Sequence, residues 1–191
     1  MFNPFALGAD KFIFLFFFFS ASGWIGETIM ESIVRKRFVS KGFFKGPWVP
    51  VHGFGGFAVY SAAFPLKQHA VLVFIAGTML CTAVEYLAAL FLEKAFNKMS
   101  WDYDTYPFTR WCNYKKRIAL TTSLFFGLVS VILVYFYWDF ALSLIKGIHP
   151  VILFRIDILI LGTFAVDAVL TLRKYIRNKK AGVQNPVDGL A

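Results

Sequence analysis

Hydrophobic residues fall in five long runs separated by short polar stretches: Phe12–Ile33, Pro50–Leu66, Ala70–Leu92, Ile118–Trp138 and Val151–Leu172. Each shows neither the strict alternation of a half-buried strand nor a narrow amphipathic stripe. A helix that crosses a bilayer needs about 20 mostly apolar residues, and four of the runs meet that length. The second is shorter, at 17 residues, and opens with Pro50, Gly53, Gly55 and Gly56. Residues that break or loosen a helix at that point predict a tilted or re-entrant span. The expected architecture is an all-α integral membrane protein, a bundle of about five transmembrane helices in one polytopic domain over residues 1–178. The tail from Lys179 to Ala191 mixes charge with Gly, Pro and Asn and reads as disordered.

The distribution of Lys and Arg orients the bundle. Five cations lie between runs one and two (Arg35 to Lys45), six between runs three and four (Lys94 to Arg117), and five after run five (Arg173 to Lys180). Only Lys11, Lys67 and Lys146 fall on the other side, with Arg155 inside the fifth run. An odd number of spans, N-terminus outside and C-terminus cytoplasmic, puts sixteen cations on the cytoplasmic face. Ser20-Ala21-Ser22-Gly23 resembles a cleavage site for a signal peptide. Asp10 beside Lys11 weakens the charged region such a peptide needs, and the apolar run continues past the site, so the first run reads as a retained span.

Composition narrows the classes. The 191 residues are 58% hydrophobic and 16% charged, and 24 of them are phenylalanine. Soluble domains carry about a quarter charged residues, and a chain this short cannot bury such an apolar excess in one core. A soluble enzyme, a disordered chain and a nucleic-acid module are excluded. The net charge of +9 is then read as facing anionic lipid, with the bilayer as partner and no nucleic acid. Cys81 and Cys112 form neither a disulfide framework nor a CxxC pair.

Polar groups inside the runs carry the functional signal, because a charge near the centre of a span costs about 2.5–3.5 kcal/mol on insertion scales. Ser20, Gly23, Trp24, Glu27 and Glu31 share one face of the first span, and Gly77, Cys81, Glu85 and Ala89 share one face of the third. Small residues beside carboxylates predict close helix approach, and these two faces are expected to meet. Glu31, Glu93 and Asp157 lie near span ends, where pairing with Arg155, with lysine or with backbone groups is enough to explain them. Glu27, Glu85 and Asp167 lie deeper and are candidates for a substrate or proton path. The stretch from Lys41 to Gly56 contributes His52 as a further path candidate and Gly46, Pro47, Pro50, Gly53 and Gly55 as residues that shape a loop. Trp101, Asp102 and Tyr103 read as an interfacial segment after the third span. No Walker sequence, GxSxG or HExxH is present, and no cofactor, metal site or catalytic residue is assigned.

Several of these residues form an ordered set. Gly23-Trp24 with Glu27 is followed by Gly42, by Gly46-Pro47-Trp48-Val49-Pro50 and by Gly53-Phe54-Gly55. Glu85-Tyr86, Glu93 and Trp101-Asp102-Tyr103 come next, and the series continues through Arg117-Ile118-Ala119-Leu120 and Gly127 to Asp167. The set resembles a bacterial family of ABC-transporter permeases, ABC-transporter type IV of the CmpB type. The chain departs from the family pattern with His52 in Pro-Val-His-Gly, with Asp104 after Trp-Asp-Tyr, and with Arg110–Tyr114 as an insertion. The resemblance implies a multi-pass protein of the bacterial inner membrane, a permease-like transporter subunit of unknown substrate, with either a separate ATPase subunit or an ion gradient as its power source. Homo-oligomerisation stays open, as do two other readings of the same residues: a membrane-embedded enzyme acting on a lipid-type substrate, and a non-transporting scaffold.

Overall fold

The computed structural model describes residues 8–99 and 101–183. It is mostly helical. The helices are α1 (Ala9–Arg35), α2 (Pro50–Ala63), α3 (Ala70–Phe96), α4 (Leu120–Ile145) and α5 (Pro150–Lys180). A single 3₁₀ turn, Phe64–Leu66, follows α2, and a small hairpin pairs β1 (Asn113–Tyr114) with β2 (Ile118–Ala119). The ends follow from local chemistry. Pro50 and Pro150 sit in the first turns of α2 and α5, where a missing N–H costs nothing. Lys36 and Asn97 adopt left-handed backbone to close α1 and α3. Within α4, Leu133–Tyr137 widens into one π turn beside Trp138.

Three helices, α1, α3 and α4, are long and apolar enough to cross a membrane. Their outward faces carry exposed Ile29, Met79, Phe91, Leu128 and Phe136, a surface suited to lipid rather than water. The 31 residues of α5 reach about 46 Å, but Arg155, Asp157 and Asp167 interrupt the apolar run. The 14 residues of α2 reach only about 21 Å, less than the hydrocarbon thickness of about 30 Å. The structure also moves some expected boundaries. Ile118 and Ala119 belong to the hairpin, so the fourth helix starts at Leu120 and runs on to Ile145. Lys179 and Lys180, read as the start of the tail, are helical, and residues 184–191 lie outside the described residues.

The core lies at the end of the bundle away from the basic loops. Leu15 and Phe19 of α1, Val59, Tyr60 and Ala63 of α2, Val73 of α3 and Trp138 of α4 are buried together. The Tyr60 and Trp138 rings stack with centroids 3.5 Å apart. Helix α1 packs on α2 and α5, while α3 packs on α2 and α4. The α3–α4 crossing depends on missing side chains: a Cβ on Gly77 would sit 2.2 Å from that of Ser130, and one on Gly127 would sit 2.2 Å from Thr78 Oγ1. The small-residue face of α3 therefore meets α4, and the expected meeting with the small face of α1 does not occur. Both faces carry the same pattern, which reports close packing without naming the partner.

Candidate functional site

After α1 ends at Arg35, the chain turns back along that helix instead of entering a new one. The Val39 N–H donates to Ser32 Oγ at 3.0 Å, and Lys41 N–H to Thr28 Oγ1 at 3.3 Å. Trp24 Nε1 donates to Ser40 Oγ at 3.2 Å, and Val49 N–H to the Ser20 carbonyl at 3.2 Å. Ser20, Trp24, Thr28 and Ser32 are spaced by four, so one face of α1 offers a polar group at every turn. The bent segment 39–49 climbs this face from Ser32 to Ser20, a rise of about 18 Å, and only there does α2 begin.

Backbone N–H groups removed from water need partners. Asp167 of α5 does part of this work: Oδ1 accepts from Lys45 N–H at 3.1 Å, and Oδ2 from Gly46 N–H at 2.7 Å. Thr171 Oγ1 steadies the carboxylate at 3.0 Å. Gly46 allows the approach, since a Cβ there would lie 2.3 Å from Trp48 Nε1. Gly42, at φ 110°, holds a backbone conformation that other residues adopt with strain. Pro47 is the exposed corner of a tight turn in which Trp48 N–H donates to the Gly46 carbonyl at 2.8 Å. Pro50 opens α2, and Gly53 and Gly55 lie inside that helix rather than in the loop. Gly53 is needed for contact, because a Cβ would lie 2.7 Å from Ser20 Oγ, whereas nothing crowds Gly55 within 4 Å.

Glu27, Glu31, Glu85 and Glu93 lie toward the basic side, whereas Asp157, expected to be paired near a span end, is buried toward the other end with neither oxygen hydrogen-bonded among the described residues. His52, in the first turn of α2, places Nε2 2.7 Å from Glu27 Oε1. Gly23 makes room for the imidazole, which a Cβ would meet at 2.1 Å. One turn on, Glu31 binds Arg35, lies 3.7 Å from the buried Lys41 ammonium, and accepts from Tyr106 O–H at 2.6 Å. On α3, Glu85 is buried; Oε1 accepts from Tyr103 O–H at 2.5 Å and Oε2 has no hydrogen-bond partner among the described residues. Glu93, nearer the end of α3, is held by the Arg117 guanidinium at 2.5 Å.

Tyr103 and Tyr106 come from one connecting segment and reach two helices that barely touch each other. The segment is itself folded: Trp101 Nε1 donates to the Arg117 carbonyl at 2.7 Å, and Thr109 Oγ1 donates to the Tyr103 carbonyl at 2.6 Å. Asp102 accepts from Asp104 N–H at 2.8 Å and lies 3.6 Å from the Lys116 ammonium. Burial first, then the negative charges of Glu85 and Glu27, push the Tyr103 hydroxyl well above its ordinary pKa. Burial and the Glu31 contact push Tyr106 up to about 12. Both hydroxyls are therefore held as proton donors. Trp101 and Tyr103, expected as interfacial residues, are turned inward.

Residues 14–172, from the first helix into the last, match a family model described as "putative ABC-transporter type IV", of the CmpB type. The chain belongs to this family. No curated protein and no solved structure matched it. Within this ABC-transporter type IV chain, His52 pairs with Glu27 and Glu85 accepts from Tyr103 of the 101–109 segment, whereas Asp167 accepts from the Lys45 and Gly46 backbone N–H groups. Sequence reasoning missed Tyr106, Lys41 and Thr171. The four-residue spacing of Ser20, Trp24, Thr28 and Ser32 was the available sign of a bound segment. Among the described residues no three His, Cys, Asp or Glu side chains come together as a metal site would require.

Proposed function

We propose that the chain is the permease-like subunit of an inner-membrane transporter, crossing the membrane five times with the basic end in the cytoplasm. The observation that carries this reading is the broken second span beside buried carboxylates. Re-entrant backbone and a half-helix starting at membrane depth suit a site where a solute meets protein groups away from lipid. The Glu27–His52 pair and Glu85 line the cytoplasmic part of the route, and Tyr103 and Tyr106 close it. Asp167 shapes the route by fixing the loop. The aromatic core at the far end forms the barrier of the state described above. Glu85 is the group that exchanges a proton or meets a cationic solute, since its second oxygen is uncommitted and buried charge is costly unless compensated. No ATP-binding motif lies in the chain, so ATP hydrolysis is assigned to a separate subunit.

Gentle detergent extraction from the native membrane, followed by mass spectrometry of the purified assembly, tests the reading. A stoichiometric ATPase subunit is expected. Recovery of this chain alone, from a preparation that keeps other membrane complexes intact, would overturn the ATP-driven assignment.

A further inference from the structure

The segment that turns Trp101, Tyr103 and Tyr106 inward turns another set outward. Phe108 is 78% exposed, Trp111 71% and Tyr114 54%, with Arg110 and Lys115 exposed among them. The segment is fixed against two long apolar helices. The Phe108 carbonyl accepts from Thr121 Oγ1 at 3.3 Å, and the Cys112 carbonyl from Leu120 N–H at 3.0 Å, both in the first turn of α4. The Tyr114 ring centroid lies 6.2 Å from that of Tyr86 on α3. The three aromatics thus stand where the apolar surfaces of α3 and α4 meet the basic end.

The hairpin tip adds charge where backbone geometry does not ask for it. Lys115 and Lys116 have φ of 52° and 64°, and Arg117 N–H donates to the Tyr114 carbonyl at 3.1 Å across them. Such a turn favours Asn-Gly. Lys116 is committed to Asp104 at 3.0 Å. Lys115 lies 5.2 Å from the Tyr114 ring centroid, and neither it nor Arg110 has an acidic partner among the described residues. Aromatic rings at the edge of an apolar belt, with uncompensated cations between them, match the acyl–headgroup boundary of an anionic leaflet. We infer that Phe108–Lys115 is a docking site for anionic phospholipid headgroups, with Arg110 and Lys115 on the phosphate and the three rings at the boundary. This does not depend on what the carboxylate layer transports.

The test uses the full chain in nanodiscs containing phosphatidylglycerol or phosphatidylcholine with brominated acyl chains. Quenching is assigned to Trp111 by difference from Trp111→Phe. The enrichment of phosphatidylglycerol over phosphatidylcholine at Trp111 is expected to fall about fivefold for each cation removed, reaching near parity in Arg110→Gln/Lys115→Gly. Glycine is favoured at the left-handed position, so thermal stability is expected to hold or rise. Lys115→Asn gives the same charge loss should glycine loosen the turn. Equal quenching by the two lipids in the wild type, or unchanged preference in both charge variants, would overturn the assignment. So would protection of Lys115 from amine labelling in native membranes but not in phosphatidylglycerol nanodiscs, which would assign the surface to a protein partner.

Discussion

The two ends of the bundle are built on different rules. At the end away from the basic loops, Leu15, Phe19, Val59, Tyr60 and Trp138 interlock as an apolar cluster, and the buried Asp157 carboxylate on the same side has no hydrogen-bond partner among the described residues. At the basic end two loops bring polar groups to the carboxylates: Tyr103 on Glu85, Tyr106 on Glu31, and the Gly46 backbone on Asp167. Dense aromatic packing holds helix positions whatever the protonation state. Directional hydrogen bonds to acids hold only while the donors and acceptors keep their charge. The comparison teaches that the first end sets the fold and the second is the part able to change state.

Substitutions should separate the two ends. The largest effect is expected at Trp138, which is completely buried and stacked on Tyr60. Trp138→Ala should cost about 3–5 kcal/mol, read as a lower Tm of the purified protein; a change within error would remove the aromatic end from its structural role. Next comes Gly23→Ala, whose Cβ would meet the His52 ring at 2.1 Å. It should cost about 1–3 kcal/mol and lift His52 from Glu27, seen as a changed imidazole resonance.

Tyr103→Phe removes the donor from a buried carboxyl oxygen and should cost about 1–2 kcal/mol. Its clearer sign is faster amide exchange confined to residues 101–109, with the Trp138 region unchanged. Alkaline titration asks the same of Tyr106. Its folded pKa, about 12, lies above the ordinary value of 10.0, so the neutral hydroxyl is the form that folding favours. The stability it contributes is full below about pH 10 and is lost as pH rises toward 12, with the 101–109 segment released first. The smallest effect belongs to Asp104, whose carboxyl is held below its usual range by Lys116 and then Asn113. Its contribution is present at neutral pH and lost on acidification, but full exposure screens it, and Asp104→Asn should leave Tm within error.

The first end was easier to read in the sequence than the second. Apolar runs report helices directly, although the three glycines read as loosening the second run lie inside the continuous helix α2. The Glu27, Glu31 and Glu85 faces were also visible, because intramembrane charge stands out against leucine and phenylalanine. Their partners were hidden for separate reasons. Asp167 is bound by backbone N–H groups, which every residue carries and which leave no side-chain signature. Tyr103 and Tyr106 lie in a connecting segment without helical or strand period, so spacing does not show which way a ring points. Within that segment the Trp101 indole donates to the Arg117 carbonyl, and the exposed rings are Phe108, Trp111 and Tyr114. The face of α3 pointed to close packing, yet no local feature distinguished α1 from α4 as the partner.

Aqueous access to position 85 tests the account most directly, because it joins orientation, the route and its closure in one readout. In a Cys81→Ser/Cys112→Ser background, Glu85→Cys would be treated with a membrane-impermeant thiol reagent in right-side-out and inside-out vesicles. The account predicts slow labelling from the cytoplasmic face alone, accelerated when Tyr106→Phe releases the second anchor of the closing segment. Labelling from the outer face, or none from either face with Tyr106 replaced, would contradict it.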